Sequence, residues 1–184
     1  MKTVLLINGC PRREHSRTRN LAYAYLDGRK QAEHITILER DLCKERIQYM
    51  THMSFDSTTG NPLPMDSTLA EEFASADEIV LAAPFWEFLF PAVVSCYFEC
   101  ISIAGVTFQY TQTGSEGLCK ATKFTYIYTA GAYLKKEDKL CEQYLRQLMN
   151  LYGIPEFSAI LVDGLDIETN NANELVDAKC KELR

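Results

Sequence analysis

Short, unbroken apolar runs alternate along this chain with segments that repeat their apolar residues at helical spacing. Thr3–Asn8 ("TVLLIN"), Glu78–Ala83 ("EIVLAA") and Lys123–Thr129 ("KFTYIYT") are rich in branched and aromatic residues, with charge only at an end. A strand with one face in water alternates polar and apolar residues; these runs do not. They read as strands buried on both faces, the signature of a parallel sheet covered by helices. His34–Leu38 and Phe157–Val162 read as two further strands. Arg17–Lys30, Ser67–Ala76, Pro91–Ile103, Lys136–Tyr152 and Asn173–Leu183 read as helices. Ser67 or Asp66 would cap the second, Pro91 opens the third where a missing N–H costs nothing, and Gly153 stops the fourth. Arg46–Met65, interrupted by Gly60, Pro62 and Pro64, reads as an irregular surface excursion. Five strands alternating with helices, without repeats or a linker, predict one α/β domain over residues 1–184. The expected architecture is a doubly wound, five-stranded parallel sheet with helices on both faces.

Composition narrows the function classes. A chain of 184 residues can bury roughly 70% of its unfolded surface. Its net charge of −6 argues against non-specific nucleic-acid binding, which needs a basic face. The 7 cysteines are scattered and form no CxxC pair, which suggests reduced thiols in a reducing compartment. The opening "MKTVLLINGC" mimics a lipoprotein signal, but its apolar stretch, Val4–Ile7, is shorter than such signals use, and no later run reaches transmembrane length. The reading is a cytoplasmic protein without a membrane segment.

Sheets of this class bind ligands beyond the C-terminal ends of their strands, where strand order reverses. The segments after the first, third and fourth strands are "GCPRREHSRT", "PFWEFLFP" and "TAGAYL". The first lacks both GxGxxG and GxxxxGK[ST], so neither the dinucleotide fingerprint nor the P-loop is present. It holds Ser16 and Thr18 at the start of a helix, among Arg12, Arg13, Arg17 and Arg19. Helix N–H groups, the helix dipole and local positive charge suit an anion; a solvated basic loop whose Ser only caps the helix fits equally well. Cys10 has no arginine in C-x5-R register, since Ser16 holds that place and Arg17 follows it, so a nucleophilic thiol is disfavoured. The second segment clusters Phe85, Trp86, Phe88 and Phe90; it suits core packing or a flat heteroaromatic ligand beside Glu87. In the third, Gly131 between alanines permits close backbone approach or simple turn chemistry. Cys96 and Cys100 share a helix face but have no partners for a metal, and His34 and His52 have no evident role. Lys135, Lys136 and Lys139, mixed with Glu137 and Asp138, read as a solvated face.

An anion site at one end and an aromatic cluster at the other match the outline of flavin mononucleotide. Across residues 77–132 the chain resembles the FMN-dependent NADH-azoreductase and NAD(P)H-quinone oxidoreductase family of the flavodoxin-like fold. Pro84, Phe88, Pro91, "AGVTF" at 104–108, Gly114, Gly117 and Leu118 fall in register with it. The resemblance implies a phosphate loop at Cys10, Ser16, Arg17 and Thr18, with Cys10 replacing a hydroxyl residue. It implies ring contacts from Pro84, Phe85, Trp86, Glu87 and Phe88 and from Thr129, Ala130, Gly131 and Ala132. Glu87 stands where the family has asparagine. A carboxylate accepts but cannot donate a hydrogen bond, and an ionised one beside the ring would lower the flavin potential.

The implied activity is ping-pong transfer from NADH or NADPH through FMN to a quinone or azo compound. No catalytic side chain and no metal are implied. Relatives of this kind are mostly homodimers. Two other classes stay open at this level: an FMN-binding electron-transfer or redox-sensing protein with little NAD(P)H turnover, and a hydrolase, for which the chain shows no nucleophile–base or metal constellation.

Overall fold

The computed structural model describes residues 2–45, 47, 51, 54, 56–61 and 66–184. Most of the expected surface excursion, with His52, Pro62 and Pro64, lies outside the described residues. The chain runs β1 (Lys2–Asn8), α1 (Arg17–Ala32), β2 (Ile35–Asp41), α2 (Thr68–Ser75), β3 (Glu78–Ala82) and α3 (Ala92–Ile101). It continues through β4 (Phe108–Thr111), β5 (Gly114–Gly117), β6 (Lys123–Thr129), α4 (Leu140–Tyr152), β7 (Glu156–Val162) and α5 (Ala172–Leu183). Five strands form a sheet in the order β2-β1-β3-β6-β7, every pair parallel. The order reverses between β1 and β3.

Alternation across the sheet explains the unbroken apolar runs. In β1, Leu5 and Ile7 join a core with Phe73 of α2, Tyr97 and Phe98 of α3 and Leu145 of α4. Val4 and Leu6 point the other way, to Leu21 of α1 and Val176 of α5. Both sets are buried, so no residue of the strand interior can be polar at low cost. Among the described residues, Glu78 is the charged one this layout buries, at 6% exposure. Arg29 of α1 holds it bidentately, with Nη1 and Nη2 at 2.7 and 3.0 Å from its two oxygens. That hydrogen bonding keeps the Glu78 carboxyl below its usual range.

Several boundaries differ from the sequence expectation for local reasons. Ser67 holds the N-cap position of α2 without a side-chain capping bond, and Asp66 before it supplies one, its Oδ1 accepting from the Thr68 N–H at 2.9 Å. The expected helix from Lys136 begins at Leu140 instead. Asp138 accepts from the Lys135 N–H at 3.0 Å and closes a separate 3-10 turn over Lys136–Asp138. The edge strand β2 runs to Asp41, because the whole of β1 templates it, Asn8 opposite Asp41. The antiparallel β4–β5 hairpin was not expected. It docks on the end of α4 through Gly117, whose backbone faces Tyr152 and Gly153.

Candidate functional site

At the C-terminal edge of the sheet, beside the reversal of strand order, four loops surround one cleft. Ser16, Arg17 and Thr18 reach it from the start of α1, Pro84, Phe85 and Trp86 from the segment after β3, and Thr129, Ala130 and Gly131 from the end of β6. Pro11, Arg12, Leu165 and Asp166 complete the lining. Nine of the thirteen positions singled out in the sequence therefore share one concavity. Cys10, Glu87, Phe88 and Ala132 are outside that lining.

The anion end is built by the start of α1. Ser16 is the N-cap, and its Oγ accepts from the Arg19 N–H at 3.3 Å. Asn20 N–H bonds the Ser16 carbonyl. Of the four N–H groups that a helix start leaves without helical partners, those of Arg17 and Thr18 have none among the described residues. They carry the positive end of the helix dipole beside Arg12 and Arg17. Thr18 is buried, and its hydroxyl meets that of Thr129 at 2.7 Å, tying the helix start to the end of β6. The close approach of the first loop to α3 depends on Gly9, where a Cβ would lie 2.3 Å from a Val94 methyl carbon.

Cys10, the residue that first suggests chemistry, is 2% exposed and its thiol donates to the Ala82 carbonyl at 3.4 Å. Burial pushes that thiol up to about 12, so a thiolate is scarce at neutral pH. The geometry gives no support to a nucleophilic cysteine.

The aromatic end is a tight turn. Trp86 and Leu89 exchange both backbone hydrogen bonds, at 3.2 and 2.8 Å, and Glu87 and Phe88 between them have φ of 51° and 68°. Two positive φ values in a two-residue loop are the mark of a type I′ turn, which favours asparagine and glycine. Phe88 is anchored: its carbonyl accepts from Cys141 N–H at 3.0 Å, and its ring meets Phe85 edge-on at 6.1 Å. Trp86, at 44% exposure, borders the cleft, while Glu87 sits at the turn tip with no hydrogen-bond partner among the described residues. Glu87→Asn is therefore expected to raise stability by about 0.5–1 kcal/mol, because asparagine tolerates the left-handed region better. Thermal unfolding checks this, and an unchanged or lower midpoint would refute the strain.

The floor beneath the cleft is held by a loop that sequence reasoning passed over, the one after β7. Leu165 N–H bonds Ala130 O at 3.1 Å, Asp166 N–H bonds Gly131 O at 2.9 Å, and Gly164 N–H bonds Ala132 O at 3.1 Å. Asp163 accepts from the Leu134 N–H at 2.9 Å. These bonds zip the segment after β6 against its neighbour and fix Ala130 and Gly131. The Asp166 carboxylate leans over Gly131, where a Cβ would lie 2.4 Å from its Oδ2, and reaches Nη1 of Arg17 at 3.2 Å. The sequence clue was "DGLD" directly after a strand end, with Gly164 at φ 68°.

Among the described residues no cluster could hold a metal ion, and no helix is long and apolar enough to cross a membrane. Cys100 is buried and Cys96 half-buried on α3, and His34 is exposed.

Residues 2–184 match the model of the flavodoxin-like fold family. A protein of Clostridium beijerinckii named FMN-dependent NADH:quinone oxidoreductase is 33% identical over 96% of this chain and 93% of its own. One of Clostridium perfringens with the same name is 30% identical over the same shares. The crystal structure of an azoreductase from Bacillus anthracis superposes with a TM-score of 0.82 at 25% identity, covering 100% of this chain and 97% of that one. With its strand order, its cleft at the point of reversal and relatives matched over nearly their whole length, this chain belongs to the flavodoxin-like family, in the branch that holds the FMN-dependent NADH:quinone oxidoreductases and azoreductases.

Proposed function

We propose that this protein is an FMN-dependent oxidoreductase that passes reducing equivalents from NADH or NADPH to a quinone or azo compound by a ping-pong route. One observation carries the proposal: a single cleft joins a helix start rich in free N–H groups, hydroxyls and arginines to a wall of Phe85 and Trp86. The donor set fits the cofactor. Ser16, Thr18 and Arg17 would hold the phosphate, Phe85 and Trp86 would flank the ring, and Thr129, Ala130 and Gly131 would border it. Bound FMN would supply the two-electron chemistry that links nicotinamide to acceptor.

The chain's own part is to bind and to orient. The Thr18–Thr129 hydroxyl pair fixes the two sides of the cleft relative to each other. The backbone ladder from Gly164 to Asp166 keeps Gly131 in place, where amide dipoles can offset charge that develops on a bound ring. The exposed rings of Trp86 and Phe88 and the Leu89 side chain, beside a groove along Phe90 and Pro91, suit a flat acceptor or a second copy of the chain, and we include a homodimer in the proposal. The whole chain, 1–184, would act as one FMN-binding unit in the cytoplasm.

The test is the visible spectrum of the purified protein with FMN, followed by anaerobic addition of NADH and of NADPH, then steady-state turnover with a quinone. Bleaching by a nicotinamide and quinone-dependent oxidation are expected. A flavin that binds but is not reduced would leave an electron-transfer protein, and a chain that FMN neither colours nor stabilises would overturn the proposal.

A further inference from the structure

The acid in the cleft lining is unexpected. A site that receives a phosphate gains from Arg12, Arg17 and the helix start, yet Asp166 places a carboxylate among them and spends one guanidinium contact of Arg17 on it. The contact is a single one, Nη1 to Oδ1 at 3.2 Å, so it does not use the paired geometry by which arginine and carboxylate lock together. The side chains are 34% exposed on Arg17 and 74% exposed on Asp166, so the carboxylate can swing into solvent with little loss of packing. Its backbone, by contrast, is fixed by the bond to Gly131 O. The carboxylate is therefore aimed at the anion end by a rigid loop and held there by a weak bond.

We propose that Asp166 is an internal anion that competes with the cofactor phosphate for Arg17 and so keeps the cofactor exchangeable. This rests on the FMN reading above. A phosphate that carries nearly two charges and can take two guanidinium contacts displaces a carboxylate that carries one and takes one. The displaced Asp166 stays tethered by its backbone at the cleft rim, where its charge, partly screened by solvent, still opposes the phosphate. Asp166 is thus a determinant of affinity for the phosphorylated flavin specifically. Riboflavin, which presents no charge to Arg17, does not sense it.

Flavin-fluorescence titration of the full chain with FMN and with riboflavin tests this. Asp166→Asn is expected to tighten FMN by about three- to ten-fold at low salt and to change riboflavin by less than two-fold. The gain in FMN affinity should shrink in high salt, as screening requires. Asp166→Glu, which restores the charge, should return FMN affinity towards that of the parent. An Asp166→Asn variant with unchanged or weaker FMN binding would overturn the inference while leaving the FMN reading intact. So would equal tightening of both flavins, which points to packing. A parent chain that binds neither flavin overturns the FMN reading itself and this inference with it.

Discussion

Gly117→Ala is expected to cost about 2–4 kcal/mol and to lower the melting temperature by roughly 5–15 °C, although residue 117 is remote in sequence from every part of the cleft. A Cβ there would lie 2.0 Å from the Gly153 nitrogen and 2.1 Å from the Tyr152 carbonyl carbon. Both atoms are backbone, so no rotamer change makes room. Gly153 cannot retreat easily either: it ends α4 in the left-handed region at φ 80°, and Ile154 behind it is buried. The bond from Cys119 N–H to Tyr152 O locks the end of β5 against the same helix end, and that from Leu118 N–H to Thr107 O ties it to the segment before β4. Relief requires the β4–β5 hairpin to lift from α4, which exposes Phe108 and loosens Tyr152 in the core. Gly114→Ala makes an informative companion. Gly114 has nothing within 4 Å of its would-be Cβ, but its φ of 138° is strained for any side chain, so a smaller loss is expected from backbone strain alone. Equal losses in the two variants would refute the packing argument.

The same hairpin shows where sequence patterns stop informing. Its strands, "FQYT" and "GSEG", are exposed apart from Phe108 and Gly117; the first alternates over only four residues, with Tyr110 in solvent, and the second has no apolar side chain. Nothing in them asks for a strand until α4 supplies a surface to dock on. The central strands are the opposite case. All five residues of β3 are buried, and β1 is buried from Val4 onward, so their apolar runs follow from position alone. The edge strand β2, with mixed exposure, gave a weaker boundary for the same reason, whereas β7, also of mixed exposure, differs from its expected span by one residue. In the cleft, the arginines stood out because a helix start disfavours cations unless an anion joins them, and Ser16 and Thr18 were legible because helix starts attract hydroxyl residues whatever their use. Asp166 was not, since its place beside Arg17 depends on β7 lying next to β6, a tertiary fact that neither segment encodes locally. Cys10 drew attention through its chemistry, yet its place at the strand end under α1 made it a buried core residue.

Arg17→Ala is expected to weaken FMN binding about 10- to 100-fold while leaving folding stability nearly unchanged. The guanidinium lines the cleft, and among the described residues its one hydrogen bond is the exposed contact to Asp166, a kind of pair worth roughly 0–1 kcal/mol. Removing it therefore changes little in the protein without cofactor. Charge-assisted hydrogen bonds to a phosphate are each worth about 1.5–3 kcal/mol, which sets the size of the expected loss. The start of α1 should survive, because Ser16 still caps it and the buried Thr18–Thr129 hydroxyl pair does not involve residue 17. Residual affinity would come from the N–H groups of residues 17 and 18, which an alanine preserves. Titration with FMN and riboflavin separates charge from shape, since only the phosphorylated flavin should lose affinity. Thermal unfolding of the same samples guards against a trivial cause. A variant that binds both flavins as the parent does would remove Arg17 from the phosphate site and leave Arg12, on the same rim, as the cation to replace next.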